Sequence, residues 1–258
     1  MIPASALSQP MEEIDVSTRW LAHFRTNRDT RSAQASQRLL PIPWDDSYQL
    51  TQAETKLISH SIQTFQLGES SEGIHLMKVS RQYAEQTGDR HWVETVKLFI
   101  GEEQRHARDL ARFMAPQHIP LAQNQWTDTW FRKLRRLANL EAALMVLFTA
   151  ELIATLYYPA LGNATRSPIL SALCTQIVYD ETQHVQFQIE TLHQIRRTHP
   201  RWRLWGTNGL YWVFFRITAI AVWLDHYPVL RAGGYSMKTF YQKACSALQR
   251  SALCNLAD

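Results

Sequence analysis

Apolar positions between about residue 50 and residue 255 recur at three- and four-residue intervals and hardly ever alternate, a pattern that predicts helices throughout and no strands. Thr51-Gln-Ala-Glu54 reads as a capping box opening a long helix that runs to about Thr87, where Gly88 supplies the stop and Asp89 the next N-cap. A second helix covers about 90 to 115 and ends before Pro116. After a loop, a short basic helix starts near Thr127 or Asp128 and leads into a third, about 139 to 161, whose last turn Pro159 distorts. Ser167-Pro168 sets an N-cap ahead of a proline at the first helical position, so a fourth helix runs from there to about Thr198, before Pro200. Two further helices, about 208 to 226 and 237 to 252, complete the chain. Residues 1 to 48 are polar and mixed, with one short helix around Thr18 to Arg28. They read as an arm packed on a single helical domain spanning 49 to 258.

Carboxylates and imidazoles interrupt the apolar stripes at matched places. On the second helix Trp92, Val96 and Phe99 lead into Glu103 and His106, followed by Leu110 and Phe113, all on one 3.6-residue stripe. The fourth helix repeats this with Leu170, Leu173 and Ile177 ahead of Glu181 and His184, and the third sets Glu151 between Phe148 and Ala154. On the first helix Glu69 and Glu72 both fall on the stripe of Ile58, Ile62, Phe65, Leu76 and Tyr83. An i, i+3 Glu/His pair projects both side chains from one helix face. Glu151 and Glu181 lie 15 residues either side of position 166, so at about 1.5 Å per residue they stand at one level on antiparallel helices. The chain also carries its own controls. Glu72-Gly-Ile-His75 and Glu190-Thr-Leu-His193 match the same spacing, yet His75 leaves the stripe and Glu190 faces the far side of its helix.

Four helices supplying Glu, Glu-x-x-His, Glu and Glu-x-x-His in that order point to a site for two metal ions at Glu69 or Glu72, with Glu103, His106, Glu151, Glu181 and His184. Four ionised carboxylates in an apolar interior carry about −4 and each costs several kcal/mol unpaired, whereas two divalent cations bring +4 and neutral imidazoles complete the coordination. This mixed ligand set suits iron or manganese better than zinc. Asp180, directly before Glu181, is placed to accept from the outer nitrogen of a ligating histidine, while its counterpart Glu102 reads as an exposed helix residue. Gly68 and Gly101 sit mid-helix next to ligand glutamates, where close helix approach or a bulge would account for them. His226 is read as the cap of its helix, with an additional metal ligand as the alternative.

Composition bounds the setting. Cys174, Cys245 and Cys254 form no Cys-x-x-Cys pair, which removes a disulfide framework and an iron–sulfur or rubredoxin module and fits a reducing cytoplasm. The opening residues lack a basic segment followed by an apolar one, so a cytoplasmic location is expected. The most apolar stretches, Leu140 to Leu161 with two glutamates and Leu210 to Leu224 with Arg216, both read as buried helices of a soluble protein without a membrane partner. A net charge of +4 permits an acidic partner without indicating nucleic acid.

At these residues the chain resembles the ferritin-like diiron-carboxylate superfamily, over about residues 50 to 195. Gly68-Glu69-Ser70 followed by Glu103-Gln104-Arg105-His106 is similar to the first half of rubrerythrins, and this selects Glu69 over Glu72, which height alone slightly favours. Glu151 followed by Val178-Tyr179-Asp180-Glu181-Thr182-Gln183-His184 is similar to aldehyde-deformylating and other diiron oxygenases. The resemblance implies an all-α, ferritin-like four-helix bundle with two additional C-terminal helices. It also implies two irons, with Glu103 and either Glu151 or Glu181 bridging them. Ala154 stands where rubrerythrins carry a further glutamate, which moves the expectation away from peroxidase chemistry.

The expected activity is O2-dependent oxidation of a small organic or acyl substrate. A ferroxidase, a diiron tRNA hydroxylase and a non-catalytic scaffold stand as alternatives. Phe65, Phe99, Phe148, Tyr158, Phe187, Trp212, Phe214 and Trp223 are candidates for a cavity wall, and Tyr158 and Tyr179 for local proton or electron donors. Electrons must come from outside, and Arg132, Lys133, Arg135, Arg136 and Arg196, Arg197, Arg201, Arg203 are the clusters that would dock an acidic ferredoxin or carrier protein.

Overall fold

The computed structural model describes residues 15–28, 41–70, 73–122 and 139–251, and among these every regular element is a helix. In chain order they are α1 (Val16–Arg28), α2 (Gln52–Glu69), α3 (Ile74–Thr87), α4 (Trp92–Met114), α5 (Leu140–Asn163), α6 (Pro168–Arg196), α7 (Arg201–Ala232) and α8 (Met237–Arg250). The expected caps are in place: Thr51 and Glu54 close a capping box, and the Ser167 side chain accepts from Leu170 N.

Two boundaries differ from the sequence reading. The long first helix is divided, α2 ending at Glu69 and α3 starting after Gly73. Gly73 has φ 63, and a Cβ there would lie 2.5 Å from Ile100 Cδ1, so α3 can re-enter against α4 only through a glycine. Glu72 lies outside the described residues, as does the 132–136 basic cluster. The helix expected to stop near residue 226 instead runs from Arg201 to Ala232 through Pro228. His226 is therefore an interior helix residue, not a cap.

α5 and α6 pack along each other as the most extensive pair, and α2, α4 and α7 close around them. α5 is apolar on all sides and buried, with Leu144, Phe148, Tyr157, Tyr158 and Leu161 almost wholly removed from water. At about 1.5–3 kcal/mol for each large side chain, this interior is the main support of the fold. α1 lays Trp20 and Phe24 against Phe99 and Phe187, capping one end of the core. The second apolar stretch does not follow α5. One face of α7 is buried, but the other exposes a line of large apolar side chains, so the expectation of a fully buried helix fails there. The C-terminal basic cluster is also partly spent inside the protein, because Arg196 and Arg203 both bond to Glu141.

Candidate metal centre

The six residues marked by the stripes meet between α2, α4, α5 and α6. Ligand-type atoms of Glu69, Glu103, His106 and Glu181 lie within 4.8 Å of one another, and so do those of Glu103, Glu151, Glu181 and His184. Two adjacent clusters therefore share Glu103 and Glu181. Each adds one histidine and one further glutamate of its own, and each is a group that could hold a metal ion. Between the bridging alternatives left open by the sequence, the shared position goes to Glu181, with Glu151 on the His184 side only. The Glu190 control behaves as expected, turning away to accept from the Trp20 indole N–H at 2.6 Å.

Each imidazole is oriented from outside by a carboxylate borrowed from the opposite motif. His106 of α4 contacts Asp180 of α6 through Nε2 at 3.1 Å, and His184 of α6 contacts Glu102 of α4 through Nε2 at 2.9 Å. Nδ1 of both rings is thereby aimed inward. Asp180 makes the imidazole contact expected of it. Glu102 is buried and bonded, which corrects its reading as an exposed residue. The signal was the acidic doublet, Glu102-Glu103 and Asp180-Glu181, recurring at the same place in both motifs.

The interior of the centre is short of partners. Glu103 Oε1, His106 Nδ1, Glu151 Oε2, Glu181 Oε2 and His184 Nδ1 are all buried and none has a hydrogen bond, although His184 Nδ1 lies 2.8 Å from Glu103 Oε1. Five converging unpartnered atoms of this kind are costly unless a cation sits among them. Outer contacts complete the remaining oxygens, with Tyr158 Oη donating to Glu69 Oε1 and Gln188 Nε2 to Glu151 Oε1, each at 2.5 Å.

Protonation follows the same logic. Burial, then the Glu103 charge, pushes Glu69 up to about 8, and burial with the Glu181 and Glu103 charges carries Glu151 well above the usual carboxylate range. Burial opposes charge on the imidazoles, but the surrounding carboxylates outweigh it and raise both His106 and His184 well above the ordinary histidine value. Burial also acts on Glu103, where the charges of His184 and His106 prevail and hold it down to about 2. In the metal-free centre burial and mutual charge thus favour protons on Glu69, Glu151, His106 and His184, which cations binding there would displace.

A cavity of about 150 Å³ opens beside the carboxylates, touching Glu69, Glu103, Glu151 and Glu181 and walled by apolar side chains including Phe65, Leu147, Ile153 and Val222. Phe65 alone of the aromatic candidates lines it. Gly68 also faces this space, and a Cβ at Gly68 or Gly101 would meet nothing within 4 Å, so close helix approach explains neither glycine. His226 borders the cavity but belongs to neither cluster. Its Nδ1 lies 2.9 Å from Ser61 Oγ, which donates to Tyr157 Oη at 2.9 Å. Tyr179 is partly exposed and has no place at the centre. No family model, curated protein or solved structure matches the chain.

Proposed function

We propose that this chain is a ferritin-like, dimetal-carboxylate oxidoreductase that uses O2 to oxidise a small apolar substrate or the apolar end of an acyl one. The observation that carries the reading is the pair of clusters sharing Glu103 and Glu181, each completed by one glutamate and one outward-anchored histidine. Iron is the metal best suited to this oxygen- and nitrogen-rich set, with manganese next. When bound, the ions supply the electrons and Lewis acidity with which O2 is reduced. α2, α4, α5 and α6 would form the four-helix bundle, with α7 and α8 as the additions.

The chain's own residues do the rest. Asp180 and Glu102 fix the imidazole orientation, Gln188 and Tyr158 hold the outer oxygens of the unshared glutamates, and Tyr158 keeps a hydroxyl proton next to Glu69. The largely apolar wall leaves room for a benzene-sized group at the carboxylates. That wall favours an organic substrate over Fe(II) as substrate, for which a short hydrophilic channel would be needed. Electrons come from a separate donor protein.

Anaerobic Fe(II) loading should give two irons per chain by metal analysis. A value of one or below sinks the dimetal reading. Ala154→Phe, which fills the cavity, should keep both irons while removing substrate-dependent O2 uptake. If that variant instead oxidises Fe(II) over many turnovers like the parent, iron handling replaces substrate oxidation.

A further inference from the structure

Twelve large apolar side chains are exposed among the described residues, and eight of them lie on α7. Trp202, Trp205, Leu210, Ile217, Leu224 and Tyr227 are between 50% and 78% exposed, with Val213 and Ile220 filling the same line. At about 1.5 Å per residue the line is about 38 Å long, and it presents on the order of 900 Å² of apolar surface, above the 300–600 Å² of the largest patch on an ordinary soluble monomer.

The opposite face of α7 is fastened to the protein along its length. Asn208 accepts from Arg196, Tyr211 accepts from Thr149, and His226 meets Ser61. The helix is therefore held to the body of the protein by its inner face, although by length and composition alone it is long and apolar enough to cross a membrane. Charge selects what covers the exposed face. Residues 201–250 carry seven Lys or Arg and one acid, Asp225, a net +6, which leaves the other 208 residues at −2 against the total of +4. Asp225 is itself occupied by His60 and His226. Trp202 and Trp205 mark one end of the line and Tyr227 the other, with Arg201 and Arg231 flanking and Arg216 at its middle, its guanidinium over the Trp212 ring. Aromatic ends with long basic side chains around an apolar stripe are the features of a helix lying in the interface of an anionic membrane. Two copies face to face would instead oppose two net-basic faces, each with Arg216 and Arg231, about a two-fold axis.

We propose that the outer face of α7 docks the protein on an anionic lipid surface. The inner face of the same helix contributes Ala221, Val222 and His226 to the cavity beside the carboxylates. A molecule leaving the bilayer would then reach the centre across one helix thickness, about 10 Å. This makes the substrate lipophilic, a clause that rests on the oxidoreductase reading, whereas the docking does not.

The test is co-sedimentation of the full chain with vesicles of phosphatidylcholine alone or with about a third phosphatidylglycerol, at low and high salt. The parent should bind the anionic vesicles at least tenfold more tightly, and salt should weaken the binding. Leu210→Ser/Ile217→Ser/Leu224→Ser should lose tenfold or more, and Arg216→Gln/Arg231→Gln should lose the preference for anionic lipid. Both should keep the parent's melting temperature and metal content, because these side chains are exposed. Absence of parent binding at low salt overturns the proposal, as does equal binding by the triple variant. So does a parent dimer that the triple variant dissociates without any vesicle binding, which would assign the face to a second copy. Metal content is read on the same samples, so binding with no metal removes the oxidoreductase reading and leaves the docking standing.

Discussion

On the His106 side of the centre the outer carboxylate, Asp180, accepts from Arg105 Nη2 at 2.8 Å and from Gln176 as well as contacting the imidazole. On the His184 side the outer carboxylate, Glu102, meets the imidazole through Oε2, and its Oε1 is buried without a partner. Burial works against the Asp180 charge, but His106, Arg105 and Gln176 prevail and hold this carboxyl well below the usual range. Matching motifs thus produce halves of different firmness. One imidazole is backed by a fixed, compensated charge, and the other by a carboxylate whose sole described bond is to the ring it orients.

The largest effects come from what the halves share. Glu103→Ala/Glu181→Ala removes a ligand pair common to both clusters and should take metal content from two per chain to near zero. The singles should split the halves. Glu69→Ala should lose the metal on the His106 side and Glu151→Ala the one on the His184 side, each leaving one per chain, while Glu72→Ala leaves two. Loss of both metals from either terminal variant would show that the halves are not separable, and loss from Glu72→Ala would move the first ligand from Glu69 to Glu72.

Much of this was legible because acids and imidazoles that could share a metal ion in a helical protein have to interrupt apolar stripes, as Glu103, Glu151, Glu181 and both histidines do. The helix periods and the caps at Thr51 and Ser167 were local and therefore readable. Glu102 was not, because whether it faces water or the ring of His184 depends on how α4 and α6 are set side by side. The break after Glu69 was hidden for a similar reason, since Gly73 is required by Ile100, a residue on another helix. For α7, apolar content alone could not separate burial on all sides from burial on one face with the other exposed. The difference from α5 lies in what surrounds the helix.

Proton release should come next in size. In the metal-free centre Glu69 titrates near 8, and Glu151, His106 and His184 also hold protons above their ordinary ranges, so ligand formation must discharge them. Calorimetry of metal loading in buffers of different ionisation enthalpy should show release of more than two protons per chain near pH 7. The number should fall as pH rises through 8, because Glu69 has by then lost its proton before the metal arrives. Metal affinity should rise over the same interval. A release near zero at pH 7, or one that grows above pH 8, would contradict the raised carboxyl and imidazole affinities. The halves differ here as well, since Glu69→Gln removes the component near 8 and should flatten that part of the curve, which Glu151→Gln should leave in place.

The smallest effect tests the asymmetry most directly, by neutralising each outer carboxylate without changing its shape. Either change weakens the hold on one imidazole and should lower metal affinity in that half by about 10- to 100-fold. Their effects on the fold should diverge. Asp180→Asn leaves the Arg105 guanidinium, three-quarters buried, without its anion, so beyond the metal effect it should destabilise the metal-free protein by about 1–3 kcal/mol. Glu102→Gln removes one of the carboxylates beside the His184 imidazole but leaves Glu103 Oε1 at 2.8 Å from its Nδ1, so the metal-free protein should lose less than the Asp180→Asn protein does. Denaturant unfolding of both apo variants, beside stepwise metal titration of each, reads the two quantities separately. Equal destabilisation would mean that Arg105 contributes nothing to anchoring the His106 half, and that the two halves differ in composition but not in firmness.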